Sequence, residues 1–347
     1  MRRLSVRAAV LVLLALLAVG CGEKDESGAG GTSHKTQKFN IVLDYFPNAD
    51  HAGIYAAQAA GDYKRAGLDV EIKPPPDPSS PLKLLQSGQA DLAISYEPEL
   101  LLARDKGSDL VSVGALVQKP LTTLMTLDGS INSPADLRGK RVGTAGIQYQ
   151  TAYLQTILKN AGVDPATVDE THVGYNLVPA MLSRKVDATL GAFWNYEGTD
   201  LRRRGRKPKI LRMEKLGVPT YNELIFVARR KDLNAKFSSK LRRFLRATAE
   251  GHKRLRDHPE VGVDALLKVD PGLDRGLQTD VVSKTLPVFF PTDKDKPFGW
   301  QEPGEWKAYG DWMYQQKLLK QPPDARKAVT NEFLPGEGLA PQATATP

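Results

Sequence analysis

Hydrophobic positions in this chain fall into short unbroken runs separated by stretches of helical spacing. Past residue 36 the first such run is Phe39-Asn-Ile-Val-Leu43, interrupted only by Asn40, and it stops at the polar Asp44. Helical spacing follows at residues 52–60, and Leu68–Ile72 forms a second run. Pro74-Pro-Pro76 and Pro78 make a rigid turn. Ser80 followed by Pro81 predicts a helix start, because proline lacks an N–H that the first helical turn leaves unpaired anyway. That helix is expected to reach Ser87-Gly88 and to feed a short buried strand at Asp91–Ser95. Strands alternating with helices predict parallel sheets flanked by helices, an α/β fold.

One pattern occurs twice. Leu85-Gln-Ser-Gly-Gln-Ala-Asp-Leu-Ala-Ile-Ser95 matches Met181-Leu-Ser-Arg-Lys-Val-Asp-Ala-Thr-Leu-Gly191, with Asp91 over Asp187. Each copy reads as a helix end, a tight turn, an aspartate and a short apolar strand, followed by aromatic residues and a glutamate. Two such units imply two α/β lobes with a cleft between them, since open α/β sheets bind ligands beyond the carboxyl ends of their strands. Leu121–Leu127 reads as a crossing strand and Leu224–Ala228 as the return strand. The expected division is a discontinuous first lobe, 38–126 with 229–335, and a second lobe at 127–228. From residue 229 the chain is expected to continue in long helices, one capped by Ser238 or Ser239 with Leu241, Phe244, Leu245 and Thr248 on its apolar side.

The N-terminus changes the picture. Arg2, Arg3 and Arg7 precede an uncharged apolar run, Ala8 to Val19, too short to span a bilayer but right for a signal segment. It ends in Ala18-Val19-Gly20-Cys21, which is similar to the lipobox of bacterial lipoproteins, with Ala18 where leucine is usual. Residues 1–20 are therefore expected to be removed and Cys21 to carry lipid; the competing reading is an ordinary signal peptide with an incidental cysteine. Cys21 is the only cysteine, so neither an internal disulfide nor a cysteine metal site is available. Residues 21–37 read as a flexible tether and 336–347 as a disordered tail. The formal charge is +8; without Arg2, Arg3 and Arg7, the only charges of residues 1–20, it is +5. So mild a surplus suits an anionic membrane surface and calls for no nucleic-acid partner.

Candidate chemistry clusters where strands end. Asp44, Tyr45, Asn48 and His51 lie between the first strand and the next helix; Tyr45 would stack on a ring while the other three hydrogen-bond. A capped turn, with Asp50 as helix cap and His51 structural, is the competing reading. Phe193-Trp194-Asn195-Tyr196-Glu197 places three aromatics and a carboxylate at another strand end, suited to a flat amine-bearing ring. Tyr96 and Glu97, the segment Gly146-Ile-Gln-Tyr-Gln150 containing Tyr149, and Tyr221-Asn222-Glu223 are further candidates. No P-loop, G-x-S-x-G elbow or His-x-x-x-His zinc spacing occurs. The basic run Arg202-Arg-Arg204, Arg206, Lys207 and Lys209 reads as a solvated surface, with contact to lipid head groups or a permease as the competing reading.

Leu43-Asp-Tyr-Phe-Pro-Asn-Ala-Asp-His-Ala-Gly-Ile-Tyr55, with Gly67-Leu-Asp-Val-Glu-Ile72 and Phe193–Glu197, resembles the thiamine-pyrimidine family of periplasmic binding proteins. The resemblance covers roughly residues 38–320 and implies a type II periplasmic binding fold, two lobes hinged about an interlobe cleft. It implies capture of a formylated aminopyrimidine for an ABC permease driven by a cytoplasmic ATPase. It also implies an extracytoplasmic monomer without catalytic residues, cofactor or metal. Carried over, Asp44, Tyr45 and Asn48 would face the ligand from one lobe and Asn195, Tyr196 and Glu197 from the other, with His51, Tyr96, Glu97, Tyr149, Trp194 and Tyr221 nearby. The family tryptophan is Tyr45 here, which leaves riboflavin, sulfonate or nitrate-like ligands as alternatives. The family also contains a eukaryotic pyrimidine synthase that uses iron and consumes its own histidine; His51 matches that position, but the cysteine cluster is missing.

Overall fold

The computed structural model describes residues 36–336. The expected leader, Cys21, nearly all of the tether and all but the first residue of the tail lie outside the described residues.

The chain opens with β1 (Gln37–Val42), which continues through a short 3-10 turn (Ala49–His51) into α1 (Ala52–Ala59) and α2 (Asp62–Arg65). Next come β2 (Leu68–Lys73), α3 (Pro81–Gln86), β3 (Leu92–Ser95), α4 (Glu97–Asp105) and β4 (Leu110–Val117). The second half begins with β5 (Thr122–Thr126), β6 (Arg141–Thr144), α5 (Gln148–Asn160) and β7 (Asp169–His172). It continues with α6 (Leu177–Leu182), β8 (Ala188–Phe193), α7 (Glu197–Arg203) and β9 (Lys209–Arg212). Finally β10 (Leu224–Arg229) leads into α8 (Ala235–Asp257), α9 (Pro259–Val269), α10 (Arg275–Phe289), α11 (Pro303–Gln315) and α12 (Ala325–Ala328).

The strands form two five-stranded sheets, ordered β2-β1-β3-β10-β4 and β7-β6-β8-β5-β9. Within each sheet the first three strands are parallel and the fourth runs antiparallel to both neighbours. The sheets are thus mixed rather than purely parallel. Each antiparallel strand arrives directly from the opposite half, and a strand entering from there reaches its slot without a crossover helix. This corrects the expected boundaries: β5 belongs to the second sheet although it ends at 126, and β10 to the first although it starts at 224.

The repeated sequence pattern has one structural meaning. Asp91 Oδ2 accepts the backbone N–H of Asn40 at 2.8 Å, and Asp187 Oδ2 accepts that of Arg141 at 2.9 Å. In each half this aspartate precedes the central strand, β3 or β8, and ties it to its parallel neighbour, β1 or β6. β3 and β4 are buried at every position, which is why they read as apolar runs without alternation.

Helix α8 starts at Ala235, earlier than the serines predict, because the Asn234 side chain accepts the Phe237 N–H at 3.1 Å and caps it there. Its expected apolar side is buried: Phe244 stacks on Phe39 with centroids 4.7 Å apart and on Tyr63 at 5.3 Å. α8 packs on α1 across Gly251 and Gly53. A β-carbon at Gly251 would strike the Gly53 carbonyl, and one at Gly53 would strike the buried ring of His252, so small residues let these helices meet.

Candidate binding site

The carboxyl ends of β1, β3, β6 and β8 converge on one cleft that is partly open to solvent. The turn after β1 contributes Asp44, Tyr45, Asn48 and Asp50; Tyr96 follows β3; Ala145, Ile147 and Gln150 follow β6; Leu177 opens α6; Gly191, Phe193, Tyr196 and Glu197 come from the end of β8. Both sheets therefore supply walls, as expected where helices follow parallel strands.

Asp44 is fixed on both oxygens. Oδ1 lies 2.9 Å from His51 Nε2, and Oδ2 accepts the Tyr96 hydroxyl at 2.9 Å. His51 Nδ1 accepts the Asn48 N–H at 3.3 Å, so its remaining nitrogen carries the proton and donates to Asp44. The Asn48 side chain caps the turn by accepting the Asp50 N–H at 2.8 Å. The cap is thus Asn48 rather than Asp50, and Asp50 is released for another role. Its Oδ1 accepts from Asn195 Nδ2 at 2.7 Å and lies 3.1 Å from the Thr285 hydroxyl, joining the turn after β1, the loop after β8 and α10 in one buried network.

Glu197 begins α7 and reaches back, its Oε2 accepting the Phe193 N–H at 2.8 Å. Burial pushes its carboxyl up to about 7, against the pull of that N–H and with the charge of Asp50 adding to the rise. Burial likewise pushes Asp50 up to about 6. The Tyr45 ring meets Tyr175 edge-on at 4.4 Å and lies 4.5 Å from Phe46, which approaches Tyr196 at 6.1 Å; together they form an aromatic wall. The Tyr45 hydroxyl is buried without a partner, and burial raises its pKa well above the usual phenol range. Gly191 has φ of +113°, and a β-carbon there would collide with the Gln150 amide. Glycine therefore lets Gln150 cross the wall to accept the Ala145 N–H at 2.8 Å.

Of the twelve residues expected at the ligand, Asp44, Tyr45, Asn48, Tyr96, Tyr196 and Glu197 line the cleft. The other six lie behind its walls. His51 is fully buried against Asp44, and Asn195 serves Asp50. The Trp194 indole N–H donates to the Pro120 carbonyl at 3.1 Å, and its ring packs under Arg212 at 4.0 Å. Glu97, Tyr149 and Tyr221 attend the two connections between the sheets. Glu97 Oε2 accepts the backbone and side-chain N–H of Asn222 at 2.8 and 2.7 Å. Tyr221 donates to Glu223 Oε2 at 3.0 Å, and Tyr149 hydrogen-bonds the Thr122 hydroxyl at 3.1 Å. Glu223 also accepts the backbone N–H of Leu121 and Thr122 at 2.6 and 2.8 Å, so one buried carboxylate fastens both connections. Ile147 and Gln150 fall within the flagged segment 146–150, Phe193 opens the flagged segment 193–197, and Gly191 ends the repeated pattern; Leu177 carried no signal beyond being apolar.

Among the described residues no group of three or more His, Cys, Asp or Glu could hold a metal ion, and no helix is long and apolar enough to cross a membrane.

The formylaminopyrimidine-binding protein of Halalkalibacterium halodurans is 30% identical over 92% of this chain and 97% of its own. A Legionella pneumophila protein named as a 4-amino-5-hydroxymethyl-2-methylpyrimidine phosphate synthase is 26% identical over 86% of this chain and 92% of its own. Among solved structures, the alkanesulfonate-binding protein SsuA of Xanthomonas axonopodis bound to MOPS superposes with a TM-score of 0.63 at 21% identity, covering 84% of this chain and 98% of its own. That likeness establishes the periplasmic-binding-protein fold. The sequence profile of the NMT1/THI5-like family matches residues 48–261, and with these relatives it shows that the chain belongs to that family.

Proposed function

We propose that this protein is the substrate-binding component of an ABC importer for an aminopyrimidine of the thiamine-precursor type, formylated or hydroxymethylated. The observation that carries this reading is the cleft lining: carboxylates and aromatic rings from both sheets face one space. A flat ring with an exocyclic amine and ring nitrogens would stack on the aromatics and donate to Glu197 and Asp50. The similarity to a protein named for binding formylaminopyrimidine supports the same class. The connections at 118–121 and 213–223 would serve as the hinge about which two lobes close, with delivery to permease subunits coupled to a cytoplasmic ATPase. A synthase reading fits less well: His51, the residue matching the consumed histidine, is fully buried and occupied on both nitrogens.

Titration calorimetry of the purified chain against formylaminopyrimidine, hydroxymethyl aminopyrimidine, thiamine, riboflavin and an alkanesulfonate tests the assignment. Saturable binding of an aminopyrimidine in preference to riboflavin and the sulfonate is expected; failure of every pyrimidine to bind would refute it. The export and anchoring reading rests on Cys21 and the run before it. Cys21→Ser is expected to move the protein from the membrane to the soluble fraction, and a variant that stays with the membrane would exclude lipidation as its anchor.

A further inference from the structure

Four chain segments that approach the cleft enter helices: the turn after β1, and the ends of β3, β6 and β8. Helix starts present unpaired N–H groups and favour anions. Beside those helix starts, other donors at this cleft are answered from within the chain. The Phe193 N–H is taken by Glu197, the Ala145 N–H by Gln150, the Asp50 N–H by Asn48, the Tyr96 hydroxyl by Asp44 and the Asn195 amide by Asp50, at distances of 2.7–2.9 Å. The cleft lining contains Asp44, Asp50 and Glu197 and no lysine, arginine or histidine. The phenol hydroxyls of the lining add no charge: that of Tyr45 is buried and unpartnered, and that of Tyr196 accepts from Gln278 at 3.4 Å.

From this arrangement we infer that the cleft discriminates by charge, taking an uncharged or cationic amine-bearing ring and rejecting the same ring when it carries a phosphate or sulfonate. This deepens the reading above and rests on it for the ring itself. An anionic substituent would enter a space walled by three carboxyl groups, lose its water and find no cationic side chain in the lining to replace it. The inference assigns Glu197 and Asp50 a specificity role beyond hydrogen bonding, because they both face the ligand and occupy donors that an anion would need.

The test uses matched probes against the purified chain: hydroxymethyl aminopyrimidine and its phosphate monoester, thiamine and thiamine monophosphate, and MOPS. The expected result is binding of the parent at least about 100-fold tighter than its phosphate ester, with no measurable affinity for MOPS. Phosphate esters binding within about threefold of their parents would overturn the charge inference while leaving the pyrimidine assignment standing. Thiamine binding in preference to its monophosphate, with neither pyrimidine bound, would support the charge inference and defeat the pyrimidine assignment. MOPS as the only binder, or no binder at all, overturns both. Glu197→Gln keeps an acceptor for the Phe193 N–H, and Asp50→Asn keeps one for Asn195. Each is expected to narrow the gap between parent and ester by about tenfold while the chain still melts in a single cooperative step. A gap unchanged in both variants would remove these two carboxyls as its source.

Discussion

Glu197 lines the cleft from the first turn of α7 while its own Oε2 anchors the chain at Phe193. Glu197→Gln removes the charge and keeps the backbone contact. We expect it to weaken aminopyrimidine binding by about 1.5–3 kcal/mol, the scale of a charge-assisted hydrogen bond, measured by calorimetry. Unaltered affinity would take Glu197 out of the binding set. The sequence marks the segments that reach the cleft but not which side chains face it. Asp44 and His51 belong to one connection, yet one lines the cavity and the other backs it, because the 3-10 turn at Ala49–His51 brings the His51 ring behind Asp44 to hydrogen-bond it. Asp50 reads as a helix cap until the structure shows Asn48 in that place. Trp194 looks like a stacking ring, but its N–H is used by Pro120 and its face by Arg212. Polar and aromatic residues at a strand end serve either the ligand or the wall, and composition does not separate these duties.

Among elements, the contact joining the turn after β1, the loop after β8 and α10 is the most consequential. Asn195 donates to Asp50 and to Thr285, both at 2.7 Å, and all three residues are buried. Asn195→Leu would leave the Asp50 carboxyl with one hydroxyl partner, and a loss of about 1–3 kcal/mol in urea unfolding is expected. In a double-mutant cycle with Asp50→Asn the coupling should exceed about 0.5 kcal/mol; a cycle that sums to zero would show that the contact is incidental. Most elements were readable in advance. β2 and α3 begin where the apolar run and the Ser80-Pro81 start place them. The third element of this network was not, because Thr285 lies in a helix whose sequence offers no strong amphipathic pattern, and its partners are more than 80 residues away.

For the molecule as a whole, the buried carboxyls set a pH response. Burial pushes Glu97 up to about 8, Glu99, Glu197 and Glu223 to about 7, and Asp50 to about 6. The folded chain retains protons on these groups that the unfolded chain, with glutamates titrating near 4.5, has already released. Their contribution to stability is therefore fully present below their ordinary values of 3.8 and 4.5, and it is lost progressively until pH passes the raised values of about 6 to 8. His252 acts in the opposite sense: burial lowers its pKa to about 4, so it destabilises the fold only below its ordinary 6.5. Above pH ~6.5 the glutamates act without that opposition, and the melting temperature of the ligand-free protein should fall between about pH 6.5 and 8.5. A rise across that interval would contradict this account.

The exchange of strands between the sheets also bears on how the chain is made. The slot between β3 and β4 is filled only by β10, which ends at Arg229, about two thirds of the way along. Until that residue emerges from the ribosome, the two flanking edges have no partner, and residues 36–117 cannot complete their sheet. The export proposed above would draw on such late completion, because the N-terminal half would stay open to a translocation machinery while synthesis continues.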